Sequence, residues 1–276
     1  MTCVHTLYLD SAFDLSTTYN KNQLKLWLLS AYSINRSEAN TVLVCNARAE
    51  KYLIDKLKIP YDHVVRELDI LDPYPKELWT LCKLVSFGLM EKPLIHIDGD
   101  VLFLDRNYIK DLTGDFRVLV EFENEWPNAA GTALLSCLKS FYNPPWLNDY
   151  ISSLNGLYTD FNAGIVGSTD PKILNAFANF AFDYAITNLS NFAQFNYFDD
   201  HASMVIDQFL LRAYLKHINA DVTLTRSKRT YDLGLSTEEK ILHFYGRGGK
   251  TCPGFFSWIK QCETMFPDHC REIDSW

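Results

Sequence analysis

The stretch Leu94-Ile95-His96-Ile97-Asp98-Gly99-Asp100-Val101-Leu102-Phe103 sets two carboxylates, two residues apart, inside an otherwise apolar run. Leu94 to Asp98 reads as a short strand suited to the centre of a sheet, and both acids then leave the same face at its C-terminal end. Open α/β sheets bind ligands at that end. Two like charges so close repel, and a buried pair keeps a proton unless a cation compensates. A hard divalent ion, Mg²⁺ or Mn²⁺, meets the need and keeps coordination positions open for a diphosphate. The plain alternative is a polar loop turning at Gly99. The apolar flanks, Leu94 to Ile97 and Val101 to Leu104, weigh against it.

Outward from this stretch, strand-like runs alternate with helical periods, the rhythm of βαβ units. Val4 to Leu9, Thr41 to Cys45 and Val64 to Leu68 read as strands, and Gln23 to Ser33, Glu50 to Leu57 and Lys76 to Met90 as helices. The expectation is an α/β domain with a mixed, mostly parallel central sheet and helices on both faces. Downstream, Phe116 to Phe122 and Phe161 to Val166 read as strands. Residues 124–158 hold Pro127, Pro144 and Pro145 and read as loops plus a short helix, an elaboration beside a site. Asp170 followed by Pro171 marks the start of a helix to Ile186. Ala202 to His217 reads as another helix, Val222 to Thr225 and Ile241 to Tyr245 as short strands. The aromatic- and Cys-rich end is expected to wrap onto the core.

Composition narrows the classes. The 276 residues are 47% hydrophobic and 22% charged, enough for a full core, and no linker-like tract divides them, so one domain is expected. The 26 Lys and Arg stand against 34 Asp and Glu, which argues against nucleic acid as a partner. The start lacks a basic segment followed by an apolar one, and no run reaches the ~18 apolar residues of a membrane span. A cytoplasmic protein is expected. The seven scattered cysteines, without a CxxC pair, read as reduced and mostly buried.

A phosphatase of the haloacid dehalogenase type also uses a strand-end Asp-x-Asp, and Asp199-Asp200 could serve as its second acidic cluster. Leu102 stands where that chemistry wants Thr or Val. Other positions also carry possible chemistry. Lys83 is the lone charge between Leu78 and Met90, and its ammonium either reaches water or meets an anion. Asp207 is the lone charge between Ala202 and Leu211; sugar hydroxyls, a cap or a basic side chain could partner it. His243 lies in the apolar run Ile241 to Tyr245, as a core residue or a ligand. Asn162 and Gly164 either let a sugar approach their strand or simply kink it. The tail Gly246-Arg247-Gly248-Gly249-Lys250 offers bare amides and cations suited to a diphosphate.

Four segments, in order, resemble those of GT-A nucleotide-sugar glycosyltransferases, and most closely glycosyltransferase family 8, the glycogenin family. They are Trp79-Thr80-Leu81-Cys82-Lys83 before the Asp98-Gly99-Asp100 strand, Phe161-Asn162-Ala163-Gly164, Asp207-Gln208, and His243-Phe244-Tyr245-Gly246 with Lys250. Two departures stand out: the lysine falls four residues after Gly246 instead of three, and Cys252-Pro253 replaces the usual Pro-Trp.

The resemblance implies a single GT-A (Rossmann-like) domain over 1–276, with a nucleotide-binding half at 1–120, a sugar and acceptor half at 121–250 and a C-terminal wrap at 251–276. It implies Mn²⁺ or Mg²⁺ held by Asp98, Asp100 and His243, and a nucleotide-sugar donor, a UDP-sugar. Lys83, Lys250 and the amides of residues 246 to 249, Gly246 among them, would share the diphosphate charge; Gly99 would also line the nucleotide-sugar site, with the base near Leu9, Asp10 and Ser11. The sugar would lie between Asn162, Ala163 and Gly164 and the catalytic Asp207-Gln208, Gln208 supporting positive charge through its amide oxygen. It further implies retention of anomeric configuration. Nucleotidyl transfer and non-catalytic nucleotide-sugar binding use the same carboxylates and stay open. Glu121, Glu123, Glu125, Trp126, Trp146 and Tyr158 flank the acceptor side, where a saccharide, a small molecule or a peptide would fit.

Overall fold

In a computed structural model, residues 1–11, 13–37, 39–112, 116–126, 129–192, 204–225, 240–244, 249–250 and 252–276 are described. In chain order the elements are β1 (Thr2–Leu7), α1 (Thr18–Asn35), β2 (Asn40–Cys45), α2 (Ala47–Glu50, running on as a π-helical segment Lys51–Lys56), β3 (His63–Arg66), α3 (Leu81–Leu89), β4 (Leu94–Ile97), β5 (Val101–Phe103) and α4 (Tyr108–Leu112). There follow β6 (Val118–Trp126), α5 (Ala129–Leu138), α6 (Pro145–Ser153), β7 (Tyr158–Ser168), α7 (Pro171–Thr187), α8 (Leu189–Phe192), a π-helical segment Val205–Phe209 leading into α9 (Leu210–His217), β8 (Val222–Leu224), β9 (Ile241–His243), α10 (Pro253–Met265) and α11 (Pro267–Asp274). Pro127, Asp199, Asp200, Ala202, Tyr245 and Gly246 to Gly248 lie outside the described residues.

The chain divides into two compact units, one of Met1–Asp72, Leu94–Asp115 and Lys228–Trp276, the other of Pro73–Pro93 and Phe116–Ser227. In the first, β3, β2, β1 and β4 lie side by side, all parallel. β4 is buried at every position, as its apolar sequence requires. β5 pairs antiparallel with β9, Val101 opposite His243. α1 starts at Thr17, whose side chain accepts from the Asn20 amide, and buries Leu24, Leu26 and Leu28. The last segment wraps onto the core as two helices, burying Phe255, Ile259, Cys262 and Ile273, and the α1 residue Lys25 ties both down through Glu263 at 2.8 Å and Asp274 at 3.0 Å.

In the second unit β6 lies between β7, antiparallel, and β8, parallel. β7 is buried along its whole length. α7 begins as its sequence predicts, the Asp170 side chain accepting from the Lys172 amide ahead of Pro171.

Three element readings need correction. Residues 76–90 are not one helix: a 3-10 turn, Lys76–Leu78, hangs on the Pro75 carbonyl before α3 begins. β6 runs four residues past its expected end at Phe122, because Glu123 to Trp126 pair with Phe161 to Tyr158 and that pairing outweighs their polar alternation. The segment behind it holds two helices, α5 and α6, the second opened by Pro145 at its first turn. Of the seven cysteines, Cys3, Cys45, Cys82, Cys262 and Cys270 are buried. Among the described residues, no helix is long and apolar enough to cross a membrane.

Candidate active site

The β4–β5 turn carries Asp98 and Asp100, and the β5–β9 ladder sets His243 opposite Val101. One ligand atom from each of Asp98, Asp100 and His243 falls within 4.8 Å of the others. Ligand bonds of about 2.1 Å to a central ion set its ligands about 3 to 4.2 Å apart, so at most a small inward shift of these side chains brings all three onto one ion. Two carboxylate oxygens and one imidazole nitrogen form a donor set for a divalent ion such as Mn²⁺, leaving positions for exogenous oxygens. The residues therefore fit the metal that the sequence implies. His243 is 3% exposed, Asp98 22% and Asp100 15%, so the imidazole is buried and the two acids are partly accessible. His96 adds a second imidazole, its Nδ1 lying 3.8 Å from Asp98 Oδ1.

Asp100 is already neutralised. His243 Nε2 lies 3.2 Å from its Oδ1, and the Lys250 ammonium 2.9 Å from its Oδ2. Burial pushes the Asp100 carboxyl up, but Lys250 and His243 outweigh it and hold the group well below the usual carboxylate range. Burial likewise pulls Lys250 down, and Asp100 more than restores it.

The turn rests on a directed chain of hydrogen bonds that the sequence did not reveal. Val101 O can only accept, so the Ser30 hydroxyl, 2.6 Å away, donates to it. Ser30 Oγ then accepts from His5 Nε2–H at 3.2 Å, leaving His5 Nδ1 to accept from the Tyr61 hydroxyl at 2.8 Å. The Tyr61 oxygen accepts in turn from Trp27 Nε1–H at 3.0 Å. The Trp27 ring covers Gly99, so the chain starts and finishes on the same turn. These residues come from β1, α1 and the loop before β3, a juxtaposition no local spacing signals. Histidine within the apolar β1 run was the one available hint.

Leu9, Asp10 and Ser11 follow β1. Leu9 is buried and its backbone is held at both ends by Asn46, which accepts from Leu9 N at 3.2 Å and donates to Leu9 O at 2.9 Å. Arg48 donates to the carbonyls of Asp10 and Phe13, and Ser11 is exposed. The backbone at this strand end is thus fixed by side chains of the β2–α2 junction.

In the second unit, Lys83, Ala163 and Asp207 come together. Lys83 Nζ lies 3.0 Å from Asp207 Oδ2 and donates to Ala163 O at 3.2 Å, with the two side chains 4% and 2% exposed. Asp207 Oδ1 and the Tyr158 hydroxyl are buried without a hydrogen-bond partner. Asn162 Oδ1 accepts from Gly164 N at 3.0 Å, and Gln208 is half-buried. The acceptor-side candidates are variously engaged: Glu123 accepts from Arg212 at 2.6 Å, Trp146 stacks on His217 and Tyr158 on Phe209. Glu121 is buried and Glu125 exposed. Gly246 lies outside the described residues.

Among solved structures, the galactosyltransferase LgtC in complex with donor and acceptor sugar analogs aligns with 99% of this chain and 100% of its own, at a TM-score of 0.53 and 12% identity. An active-site mutant of LgtC aligns at 0.52 and 11%. The glycosyltransferase GlyE of Streptococcus pneumoniae TIGR4 aligns at 0.49 and 11%; the chain spans 63% of its length. The LgtC likeness establishes the GT-A glycosyltransferase fold, in line with the α/β expectation. No curated protein matches the chain. Residues 1–264 match the model of a family of unknown function, DUF6734, and the chain belongs to that family.

Proposed function

We propose that this protein is a metal-dependent glycosyltransferase, moving a sugar from a nucleotide diphosphate sugar, a UDP-sugar, to an acceptor hydroxyl with retention. The observation that carries the reading is the convergence of Asp98, Asp100 and His243 at the end of β4, in a chain with the GT-A fold. Mn²⁺ or Mg²⁺ there would supply Lewis-acid stabilisation of the departing diphosphate. Lys250 and the tail that includes Gly246 would take the remaining phosphate charge, and the clamped backbone of Leu9 and Asp10, with Ser11 beside it, would present groups to the base.

Asn162, Ala163 and Gly164 with Asp207 and Gln208 would receive the sugar. Lys83, bonded to both Asp207 and Ala163, serves this reading by orienting the two segments rather than as a free phosphate cation. The buried, unpaired Asp207 Oδ1 supports it, since a sugar hydroxyl would satisfy that acceptor. Gln208 would stabilise the developing oxocarbenium charge, and the acceptor proton would leave on the departing phosphate oxygen. The acceptor would be a saccharide, a small molecule or a peptide.

The test is a screen of nucleotide sugars with Mn²⁺ for release of nucleoside diphosphate, first without acceptor. UDP release that is lost in Asp98→Ala and Asp100→Ala, with the fold kept, is expected. Full turnover by either variant, or release of pyrophosphate in place of UDP, overturns the assignment. Proton NMR of the product anomer tests retention.

A further inference from the structure

Lys250 holds the carboxylate that the metal needs. Its ammonium lies 2.9 Å from Asp100 Oδ2 while His243 meets Oδ1, so both oxygens of Asp100 are engaged before any ion arrives. Lys250 is 17% exposed and Asp100 15%, and at that depth the attraction is screened less than at the surface. The same lysine closes the tail that would meet a diphosphate.

We propose that Lys250 is a specificity-determining residue that acts as a resident counter-ion for Asp100, yielding the carboxylate to a divalent ion only when a diphosphate arrives to take its ammonium. The proposal rests on the glycosyltransferase reading and deepens it. Counting His243 in the neutral form that a metal ligand takes, the formal charge on Asp98, Asp100 and Lys250 sums to one net negative. A bare divalent ion turns that sum to one net positive, with two cations crowding one carboxylate. An ion carrying the two ionised phosphates of a nucleotide sugar returns the sum to its starting value. The site thus favours a metal–diphosphate pair over free metal, and over a monophosphate that brings fewer contacts for the displaced ammonium. By linkage, each member of the pair raises the affinity for the other.

The experiment measures Mn²⁺ binding by electron paramagnetic resonance of the free ion, with and without UDP, for the wild-type chain, Lys250→Met and Asp100→Asn. Lys250→Met is expected to bind Mn²⁺ alone about tenfold more tightly than wild type, and to lose about tenfold of the enhancement that UDP gives. Mn²⁺ affinity unchanged or weakened in Lys250→Met without UDP, or an undiminished UDP enhancement, overturns the proposal. That failure differs from failure of the functional reading, in which neither the wild type nor Lys250→Met binds Mn²⁺ in a way that Asp100→Asn abolishes; that outcome overturns both.

Discussion

The α-carbon of Gly99 lies so close against the indole of Trp27 that a β-carbon built on it would fall 1.9 Å from Trp27 Cε3. The ring cannot swing away freely, because its Nε1–H is held by Tyr61. Gly99→Ala should therefore cost about 1–3 kcal/mol through overpacking and weaken Mn²⁺ binding about tenfold as the turn shifts. Trp27→Ala in the same chain should recover part of the binding loss, a non-additive pair in a double-mutant cycle. An alanine variant with native stability and native Mn²⁺ affinity would show that the contact has slack.

Lys83 and Asp207 form a buried pair, and removing one partner leaves a charge with nowhere to go. Lys83→Met is expected to destabilise the protein by about 3–5 kcal/mol, whereas the double variant Lys83→Met/Asp207→Leu should regain most of that loss. Sugar transfer should be absent from both. Urea denaturation of the two variants checks the stability pattern, and equal instability in single and double variants would contradict it.

His5 links acid sensitivity to the turn. Burial drives its imidazole from 6.5 down to about 3. Between those values the unfolded chain takes up a proton that the native state refuses, so stability is complete above about pH 6.5 and falls as pH drops toward 3. The loss should reach a few kcal/mol, and His5→Gln should flatten this acid limb while lowering stability at pH 7. Chemical denaturation at pH 7 and pH 5 compares the two; parallel profiles would assign the limb to other groups.

The direction of the hydrogen-bond chain is also open to measurement. Long-range ¹H–¹⁵N spectra should show His5 neutral at pH 7, with its proton on Nε2. Tyr61→Phe should cost about 1–3 kcal/mol by leaving Trp27 Nε1–H and His5 Nδ1 unpaired. A proton found on Nδ1 would reverse the chain and remove the donor to Ser30.

Much of the scaffold was legible because the physics is local. Asp170 before Pro171 announces a helix start, and the apolar Leu94 to Ile97 announces a buried strand, because cap chemistry and burial act within a few residues. The extension of β6 to Trp126 was not legible, since it depends on pairing with Tyr158, which lies beyond two intervening helices. The acid pair could be read as a site because charge inside an apolar run is costly. That Lys83 would settle on Asp207 could not be decided, as snorkelling and ion pairing demand the same residue at the same position. Ser30, Tyr61 and Trp27 carried no signal, being ordinary residues made notable only by what folding brings beside them.

The antiparallel pairing of β5 with β9 has a consequence for synthesis. The ribosome delivers the acids of the turn before their basic neighbours, with most of the second unit in between. Until then the nascent chain displays a repelling acid pair beside a strand whose described partner has yet to emerge. A truncated product ending before β9 should misfold around that turn, even though every residue of the four-stranded parallel array is already present.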